Sequence, residues 1–199
     1  MSDLTLIVPG RAYLAGYIAA LETGWSPDNT QDIHAEQLTS IRRDAEAFLQ
    51  DLVRPAGTIH HADGTVSPRL PDRMFWIWDD EFCGIIGLRW RPGGNRLPPY
   101  VHGHIGYGVV PWKRRRGYAS AALGLLLPVA RSVGLTCVFI SANAANIASR
   151  RVIERNGGVP VGPATRRATG RLDSDEVGYW IELSVRSSFP APAGRRSGS

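Results

Sequence analysis

The second half of the chain alternates between strand-like and helix-like segments. Residues 102–110 form a β-rich run, residues 117–133 carry apolar side chains at helical spacing, and residues 135–142 are again an apolar run. A further helical segment over residues 146–156 ends at a glycine pair, which suits the left-handed backbone that follows a helix C-terminus. Strands that alternate with helices predict an α/β arrangement here.

The first half is less regular and contains a predicted hairpin. Two β-rich runs flank Asp79-Asp80-Glu81, although this turn contains no glycine. The hairpin adds antiparallel pairing, so we expect a mixed sheet with helices. The other predicted elements are a strand (4–8), two helices (11–23 and 35–53), a turn-rich connection (55–70), a loop (91–100) and two last strands (159–161 and 177–185).

The length and composition indicate one globular domain. The chain has 199 residues, of which 43% are hydrophobic and 21% charged. We assign residues 1–185 to this domain and predict that residues 186–199, rich in Pro, Ala, Gly and Ser, form a disordered basic tail. The net charge is +5, but three of these charges belong to tail arginines, so the domain itself is only mildly basic.

Cysteine usage and apolar runs favour a cytoplasmic protein. The N-terminus has no basic region before its short apolar run, so we predict no signal peptide. The longest apolar stretch, residues 119–130, is too short to cross a bilayer and contains Pro128. Cys83 and Cys137 lie in apolar segments, and we expect two reduced thiols.

A basic junction, VVPWKRRRGYASAA over residues 109–122, connects a predicted strand to a predicted helix. A helix N-terminus exposes free N–H groups, Gly117 lets a ligand approach the backbone, and arginines suit phosphate. The junction therefore indicates a phosphate or pyrophosphate site. A solvated basic helix start and a nucleic-acid contact are the alternatives. Neither GxGxxG nor GxxxxGK[ST] occurs here.

The segment NAANIASRRVIERNGG, residues 143–158, adds polar groups at the start of the next helix. Asn146, Ser149 and Ile153 share one helical face. The alternative is that Asn143 or Asn146 simply caps the helix.

Together, VVPWKRRRGYASAALGLL and NAANIASRRVIERNGG resemble the GNAT superfamily of acyl-CoA-dependent N-acetyltransferases. The family's [Q/R]-x-x-G-x-[G/A] loop, which grips the pyrophosphate of acetyl-CoA, corresponds to Arg114, Gly117 and Ala119. The resemblance covers residues 82–185, whereas over residues 1–70 only the element order agrees. It is greatest to the bacterial subgroup of predicted acetyltransferases of unknown acceptor.

The resemblance implies a central mixed, mostly antiparallel sheet whose strands 102–110 and 135–142 are parallel and splayed apart. The pantetheine arm of acetyl-CoA would lie in that gap, and its pyrophosphate would bind amides from Arg115 to Ser120. The side chains of Lys113 and Arg115 could then be replaced at a modest cost in cofactor affinity. The implied cofactor-binding residues are Gly108, Val109, Val110, Arg114, Arg115, Arg116, Gly117, Tyr118, Ala119, Ser120, Asn146 and Ser149.

The resemblance also implies direct attack of an amine on the thioester, with the Val109 N–H as a donor to the oxyanion. Many members carry a catalytic Glu on the strand before the loop, where this chain has His102 and His104. Either histidine is a candidate base, directly or through a water, and structural packing is the alternative. Glu22 and Glu182 are further candidates.

This chain lacks the residue that many family members use as the general acid, and its acceptor site is less recognisable. Ile153 stands where many members have a Tyr acid, so Ser149, Tyr107 or a water would protonate the thiolate, which otherwise leaves unassisted. Glu22 and Trp25 are the acceptor-site candidates, because the loop after the first helix borders that site in the family. Arg166, Arg167 and Arg171 suit an acidic acceptor or are solvated loop charges.

These residues predict transfer of an acetyl group from acetyl-CoA to a primary amine of a small molecule or a protein. We expect no metal ion and no membrane contact; the family allows a homodimer. Two other hypotheses stay open, a non-catalytic acyl-CoA-binding protein and, with less support, a nucleic-acid-binding protein. Trp76, Trp78, Trp90 and Cys137 are expected in the core, and Pro128 should kink or end its helix.

Overall fold

The computed structural model describes residues 4–53, 57–60, 64, 66–98, 100–161 and 175–183. The predicted tail and the arginines at positions 166, 167 and 171 lie outside these residues. The helices are α1 Leu14–Glu22, α2 His34–Arg43, α3 Ala45–Val53, α4 Tyr118–Ser132 and α5 Ile147–Arg155. The strands are β1 Thr5–Ile7, β2 Thr58–His60, β3 Val66–Pro68, β4 Asp72–Trp78, β5 Phe82–Arg89, β6 Ile105–Val109, β7 Cys137–Asn143, β8 Val159–Pro160 and β9 Glu176–Glu182.

Four strands form the first sheet, in the order β1-β4-β5-β6, and all of its pairs are antiparallel. The predicted hairpin between β4 and β5 is confirmed. Its turn needs no glycine because Asp80 takes the left-handed conformation, with φ 67°, which Asp tolerates better than most residues. Gly84 of β5 is essential to the packing of β6, since a Cβ there would overlap the Gly108 carbonyl.

The second sheet has the order β7-β9-β8 and is also antiparallel. We expected one mixed sheet, but every strand pair in the described part of the chain is antiparallel, and β6 and β7 are the edges of two separate sheets. The sheets meet just before β6. The His104 N–H donates to the Phe139 carbonyl at 2.7 Å, and the Phe139 N–H donates to His104 Nδ1 at 2.8 Å.

Helices cover both faces of the first sheet. On one face, α4 packs against apolar side chains of β4 and β5 and against the second sheet, in the core cluster that includes Ile86, Leu123 and Ile140. On the other face, α1, α2 and α3 pack around Trp76 and Phe82. We call this second face, on the side of α1 to α3, the α1–α3 face.

Three details of the elements differ from expectation. The helix predicted over residues 35–53 is broken at Asp44, whose backbone is extended and whose carboxylate accepts hydrogen bonds from the Glu46 and Ala47 N–H groups. The connection predicted over residues 55–70 contains the hairpin of β2 and β3. The helix does not end at Pro128 but continues through it to Ser132.

Smaller expectations are confirmed. Both cysteines are free thiols, and Trp76 is completely buried. No helix in the described residues combines the length and apolar character needed to cross a membrane.

Candidate active site

Among the described residues, the edge of β6 that faces away from β5 pairs with no other strand, although the Tyr107 carbonyl on this edge accepts from Asn29 Nδ2 at 3.2 Å. The His104 carbonyl accepts from the Arg89 N–H, and the Val110 N–H donates to the Cys83 carbonyl at 3.0 Å. In an antiparallel ladder alternate residues face the same neighbour, so Gly108, between these two, also faces β5, and Val109 faces the open edge. The backbone donor predicted at Val109 therefore has the right orientation. Gly108 and Val110 stay predicted cofactor contacts, although the Val110 N–H is already used in its bond to Cys83.

The basic junction folds into a loop whose N–H groups converge at the start of α4. Arg115 has φ 62° and Gly117 has φ 86°, so two of three consecutive residues are left-handed. The first helical hydrogen bond runs from the Ala121 N–H to the Gly117 carbonyl. The N–H groups before it have no partner within the helix, and the Cβ direction of Gly117 is open space. Such a loop is typical of an anion site.

Arg114 folds back on the strand that precedes it. Its Nε donates to the Val109 carbonyl at 3.0 Å, while the side chain stays exposed. The bond fixes the open edge of β6 relative to the loop, and the remaining guanidinium N–H groups stay available to a phosphate.

Lys113 does not belong to the exposed basic run. Its residue is only 8% exposed, and Nζ lies 3.0 Å from Asp79 Oδ1 and 3.0 Å from Glu81 Oε2. Asp79 also accepts hydrogen bonds from the Tyr118 hydroxyl and, at 2.9 Å, from the Cys83 thiol. The prediction that replacing Lys113 has a modest cost in cofactor affinity stays a prediction. We expect a larger cost in stability, because its ammonium balances a carboxylate that is itself largely buried.

These contacts keep the cluster charged and its thiol inert. Burial alone would raise the pKa of Asp79, but hydrogen bonds from Cys83, Tyr118 and Lys113 lower it below its ordinary value. Burial alone would lower the pKa of Lys113, but Glu81 and Asp79 raise it. Burial, followed by the hydrogen bond to Asp79, raises the pKa of the Cys83 thiol to about 12. The turn between β4 and β5 thus anchors both ends of the anion loop, at Lys113 and at Tyr118.

Helix α5 places two predicted site residues near the open edge. Asn146 caps it, with Oδ1 accepting from the Ser149 N–H at 3.0 Å. The Ser149 hydroxyl lies 2.8 Å from the Tyr107 hydroxyl, which also donates to the Ser149 carbonyl at 3.2 Å. Burial raises the pKa of Tyr107 to about 12, although its bond to Ser149 lowers it. Tyr107 is therefore protonated at neutral pH. Ile153 is fully buried in the core.

Asn156 is a site-supporting residue that the sequence analysis did not single out. Its Nδ2 donates to the Ser120 carbonyl at 3.1 Å and to the Val152 carbonyl at 2.9 Å. It therefore fastens the end of α5 to the first turn of α4, where the anion loop ends. The only sequence signal was its position just before a glycine pair, which indicated a helix end and no contact with another helix.

Comparison with known proteins places this geometry in a family. The family model described as an acetyltransferase (GNAT) domain matches residues 27–159. The chain belongs to the GNAT acetyltransferase family. No curated protein matches the sequence.

Solved structures similar to this GNAT chain share its fold at low identity. One titled a probable acetyltransferase has 18% identity and a TM-score of 0.60, with 92% of this chain and 94% of that one covered. The microcin C7 self-immunity acetyltransferase MccE, solved with acetyl-CoA and AMP, has 12% identity, a TM-score of 0.55 and coverages of 92% and 93%. RimL, a ribosomal L7/L12 α-N-protein acetyltransferase solved with coenzyme A, has 16% identity, a TM-score of 0.55 and coverages of 92% and 95%.

The two histidines proposed as bases have different environments in this acetyltransferase. His104 is completely buried and its Nδ1 accepts from Phe139, while Nε2 forms no hydrogen bond with any described residue. Burial lowers the pKa of His104 to about 4, despite backbone contacts that raise it. Because Nδ1 is an acceptor, Nε2 carries the proton of the neutral ring, and no free lone pair remains for an amine. His104 as the base is therefore wrong.

His102 is half-exposed and has a carboxylate partner. Its Nδ1 lies 3.3 Å from Glu176 Oε2, and the Ser141 hydroxyl donates to Glu176 Oε1 at 3.0 Å. Glu182, another candidate base, lies opposite Cys137 at the start of β7, the end away from α5.

The two predicted acceptor residues contact other parts of the fold, and their role in acceptor binding stays a prediction. Glu22 is exposed and lies 3.5 Å from Arg42 of α2. Trp25 is 7% exposed, and its ring packs edge-on against Tyr17 and Phe82. Its ring nevertheless stands over Gly108, with Cζ2 3.7 Å from the position that a Cβ would take there.

Proposed function

We propose that this chain transfers an acetyl group from acetyl-CoA to a primary amine of a small molecule or a protein. The observation that carries the proposal is the loop of Arg115 and Gly117, which opens onto the start of α4 directly after the free edge of β6. The free N–H groups and three arginines in this loop fit a pyrophosphate. The complexes of MccE with acetyl-CoA and of RimL with coenzyme A support the same ligand.

In this proposal the pantetheine arm runs along the gap between β6 and β7. The two strands are taken to run parallel and to diverge beyond the contact of His104 with Phe139, so that Val109 faces the arm. Asn146 offers its amide N–H groups to the arm, since its carbonyl oxygen already caps α5. The pantetheine amides then replace the hydrogen bonds that a neighbouring strand would make.

The reaction proposed is direct attack of the amine nitrogen on the thioester carbonyl. The Val109 N–H stabilises the oxyanion of the tetrahedral intermediate. The C–S bond then breaks, and the thiolate receives a proton from the hydroxyl pair of Tyr107 and Ser149, which the raised pKa of Tyr107 keeps protonated. The ammonium proton passes to His102 along a chain of several water molecules, because His102 lies seven residues before Val109, and Glu176 orients its ring.

Two glycines at opposite ends of α4 allow a matched test. Gly117 precedes the helix with φ 86°, Gly134 follows it with φ 90°, and the Cβ direction of each is open space. Replacement by alanine costs about 1 kcal/mol of backbone strain at either position. Calorimetric titration with acetyl-CoA should show binding to the wild type and to Gly134→Ala, with affinity for Gly117→Ala at least tenfold weaker. No binding to the wild type, or equal loss in both variants, would contradict the proposal.

A second candidate is an acyl-CoA-binding protein without turnover. It is favoured by the buried His104 and by Ile153 at the usual acid position. Both candidates bind acetyl-CoA, but this one predicts no release of free thiol with any amine. Thiol release that depends on an added amine, and that falls in His102→Gln with a changed pH profile, would exclude it.

A further inference from the structure

A cleft with a glycine floor lies on the α1–α3 face of the first sheet. Gly87 of β5 and Gly106 of β6 are directly opposite each other, so the sheet has no side chain there. A cavity of about 230 Å³ lies at Gly87, and the residues that line it also include Asp72, Met74 and Arg89. Arg89 Nη2 lies 3.7 Å from the position that a Cβ of Gly106 would occupy. The Arg89 guanidinium thus lies over the floor, next to β6.

Arg89 carries a positive charge that has no close partner among the described residues. In the described part of the chain, no hydrogen bond and no ion pair within 4.0 Å reaches its guanidinium, although its surface is exposed. Burial lowers its pKa, and the more distant charges of Asp72 and Asp28 raise it. The Arg89 side chain is therefore accessible to solvent and at the same time surrounded by other atoms, as expected for a side chain in a cleft.

The two nearby carboxylates already have partners. Asp72 Oδ2 accepts from Arg69 Nη2 at 2.9 Å. Asp28 Oδ1 accepts from the backbone N–H groups of Thr30 and Gln31 and from the Thr30 hydroxyl. Among the described residues of this cleft, Arg89 is therefore the charge without a close partner. A planar guanidinium binds a carboxylate through two parallel hydrogen bonds.

We propose that Arg89 binds a carboxylate of the acceptor, so that the acceptors of this enzyme are amino carboxylates rather than simple amines. The inference rests on the proposed acetyltransferase function and adds the substrate class. The buried Asp72 Oδ1, which has no hydrogen-bond partner in the part of the chain that the structure describes, supplies an acceptor for an N–H or O–H group elsewhere on the same molecule.

The position of Arg89 also restricts the length of the acceptor. Gly106 is three residues before Val109, which corresponds to about 10 Å along an extended strand. The carboxylate bound over Gly106 and the amine that attacks beside Val109 are thus separated by several bonds. We expect ω-amino carboxylates and lysine-like side-chain amines to be better acceptors than α-amino groups.

A chain-length series tests both parts of the inference. Thiol release from acetyl-CoA is measured with ω-amino carboxylates of two to eight carbons, with their carboxamides, and with alkylamines of equal length. The proteins are the wild type, Arg89→Gln and the matched control Arg91→Gln, whose exposed arginine lies two residues beyond, outside β5. Acetyl-CoA affinity is measured for each protein by calorimetry.

We expect the wild type and Arg91→Gln to prefer a carboxylate over its carboxamide at least tenfold in kcat/KM. Arg89→Gln should lose this preference while keeping its affinity for acetyl-CoA. Equal use of carboxylates and carboxamides, or a preference that survives in Arg89→Gln, overturns the inference. Failure to bind acetyl-CoA would instead overturn the proposed function, and this inference with it.

If no compound in the series is acetylated, binding of the reaction products tests the inference instead. N-acetylated ω-amino carboxylates and their carboxamides are titrated into the protein saturated with coenzyme A. Tighter binding of the carboxylates to the wild type than to Arg89→Gln supports the inference, and equal binding overturns it.

Discussion

At the scale of single residues, the run Lys113-Arg114-Arg115-Arg116 divides into different roles. Lys113 turns inward and pairs with Asp79 and Glu81. Arg114 donates a hydrogen bond to the carbonyl at the end of β6, and Arg115 has a left-handed backbone conformation. The four consecutive cations are therefore not one basic patch. This weakens the nucleic-acid hypothesis, which needs all of them on one surface.

Replacing Lys113 should affect stability, and replacing Arg116 should affect ligand affinity. Lys113→Ala leaves the carboxylate of Asp79 without its cation, and we expect a loss of about 2 kcal/mol, between the values for exposed and buried pairs. Urea unfolding measures this loss. Arg116→Ala should unfold like the wild type but bind acetyl-CoA more weakly, because Arg116 is exposed beside the anion loop. A loss of affinity in Lys113→Ala together with a loss of stability in Arg116→Ala would contradict both assignments.

His104 should make stability depend on pH. Its pKa falls from 6.5 in the unfolded chain to about 4 in the folded protein, so between these values the unfolded chain binds more protons. Its contribution is complete above pH 6.5 and is lost as the pH falls towards 4, by up to about 3 kcal/mol. His104→Asn keeps an acceptor for the Phe139 N–H and should flatten this dependence in urea unfolding between pH 7 and 4. His102→Asn is the matched control, and equal slopes in the two variants would contradict the assignment.

At the scale of elements, α5 serves both as a capped helix and as one wall of the site. Asn146 closes its N-terminus and Asn156 fastens its C-terminus to α4. The two interpretations of Asn146 in the sequence, a cap or a cofactor ligand, are therefore compatible, since they use different atoms of one amide.

A serine at position 146 separates these two uses. Asn146→Ser keeps a capping oxygen and should change stability by a few tenths of a kcal/mol, whereas Asn146→Ala should cost about 1 kcal/mol. Both variants lack the amide N–H groups. We expect calorimetry to show acetyl-CoA binding weakened to a similar extent in both. An affinity of Asn146→Ser equal to that of the wild type would leave Asn146 as a cap alone.

Periodicity and the family resemblance predict most elements and the location of the anion loop. These predictions fail where a single side chain forms a contact that the repeating pattern of apolar residues does not contain. Asp44 interrupts an amphipathic pattern because its carboxylate bonds two N–H groups that follow it. The pairing of Lys113 with Asp79 joins positions 34 residues apart, and no local pattern in a single sequence contains that information.

At the scale of the whole molecule, two antiparallel sheets meet at His104 and Phe139, and beyond this contact their edges pair with no other described strand. The proposed cofactor lies between these edges. Its binding should therefore stabilise the whole chain and not only the loop, by about 2.7 kcal/mol at a concentration 100 times the Kd.

Hydrogen exchange with two ligands tests this arrangement. Coenzyme A should slow exchange at the amides of residues 115–120 and also at Val109. Adenosine 3′,5′-bisphosphate has the phosphates but no pantetheine arm, so it should protect only the loop. Central amides of β4 and β5 serve as the internal reference. Identical protection patterns for the two ligands would show that the arm does not run along β6.

The open edge of β6 has a consequence for handling the protein. An uncovered strand edge is a template on which a strand of another molecule can assemble. Protein prepared without cofactor should therefore aggregate on concentration or storage more readily than protein saturated with coenzyme A. The cofactor would then act as a solubilising cover as well as an acyl donor.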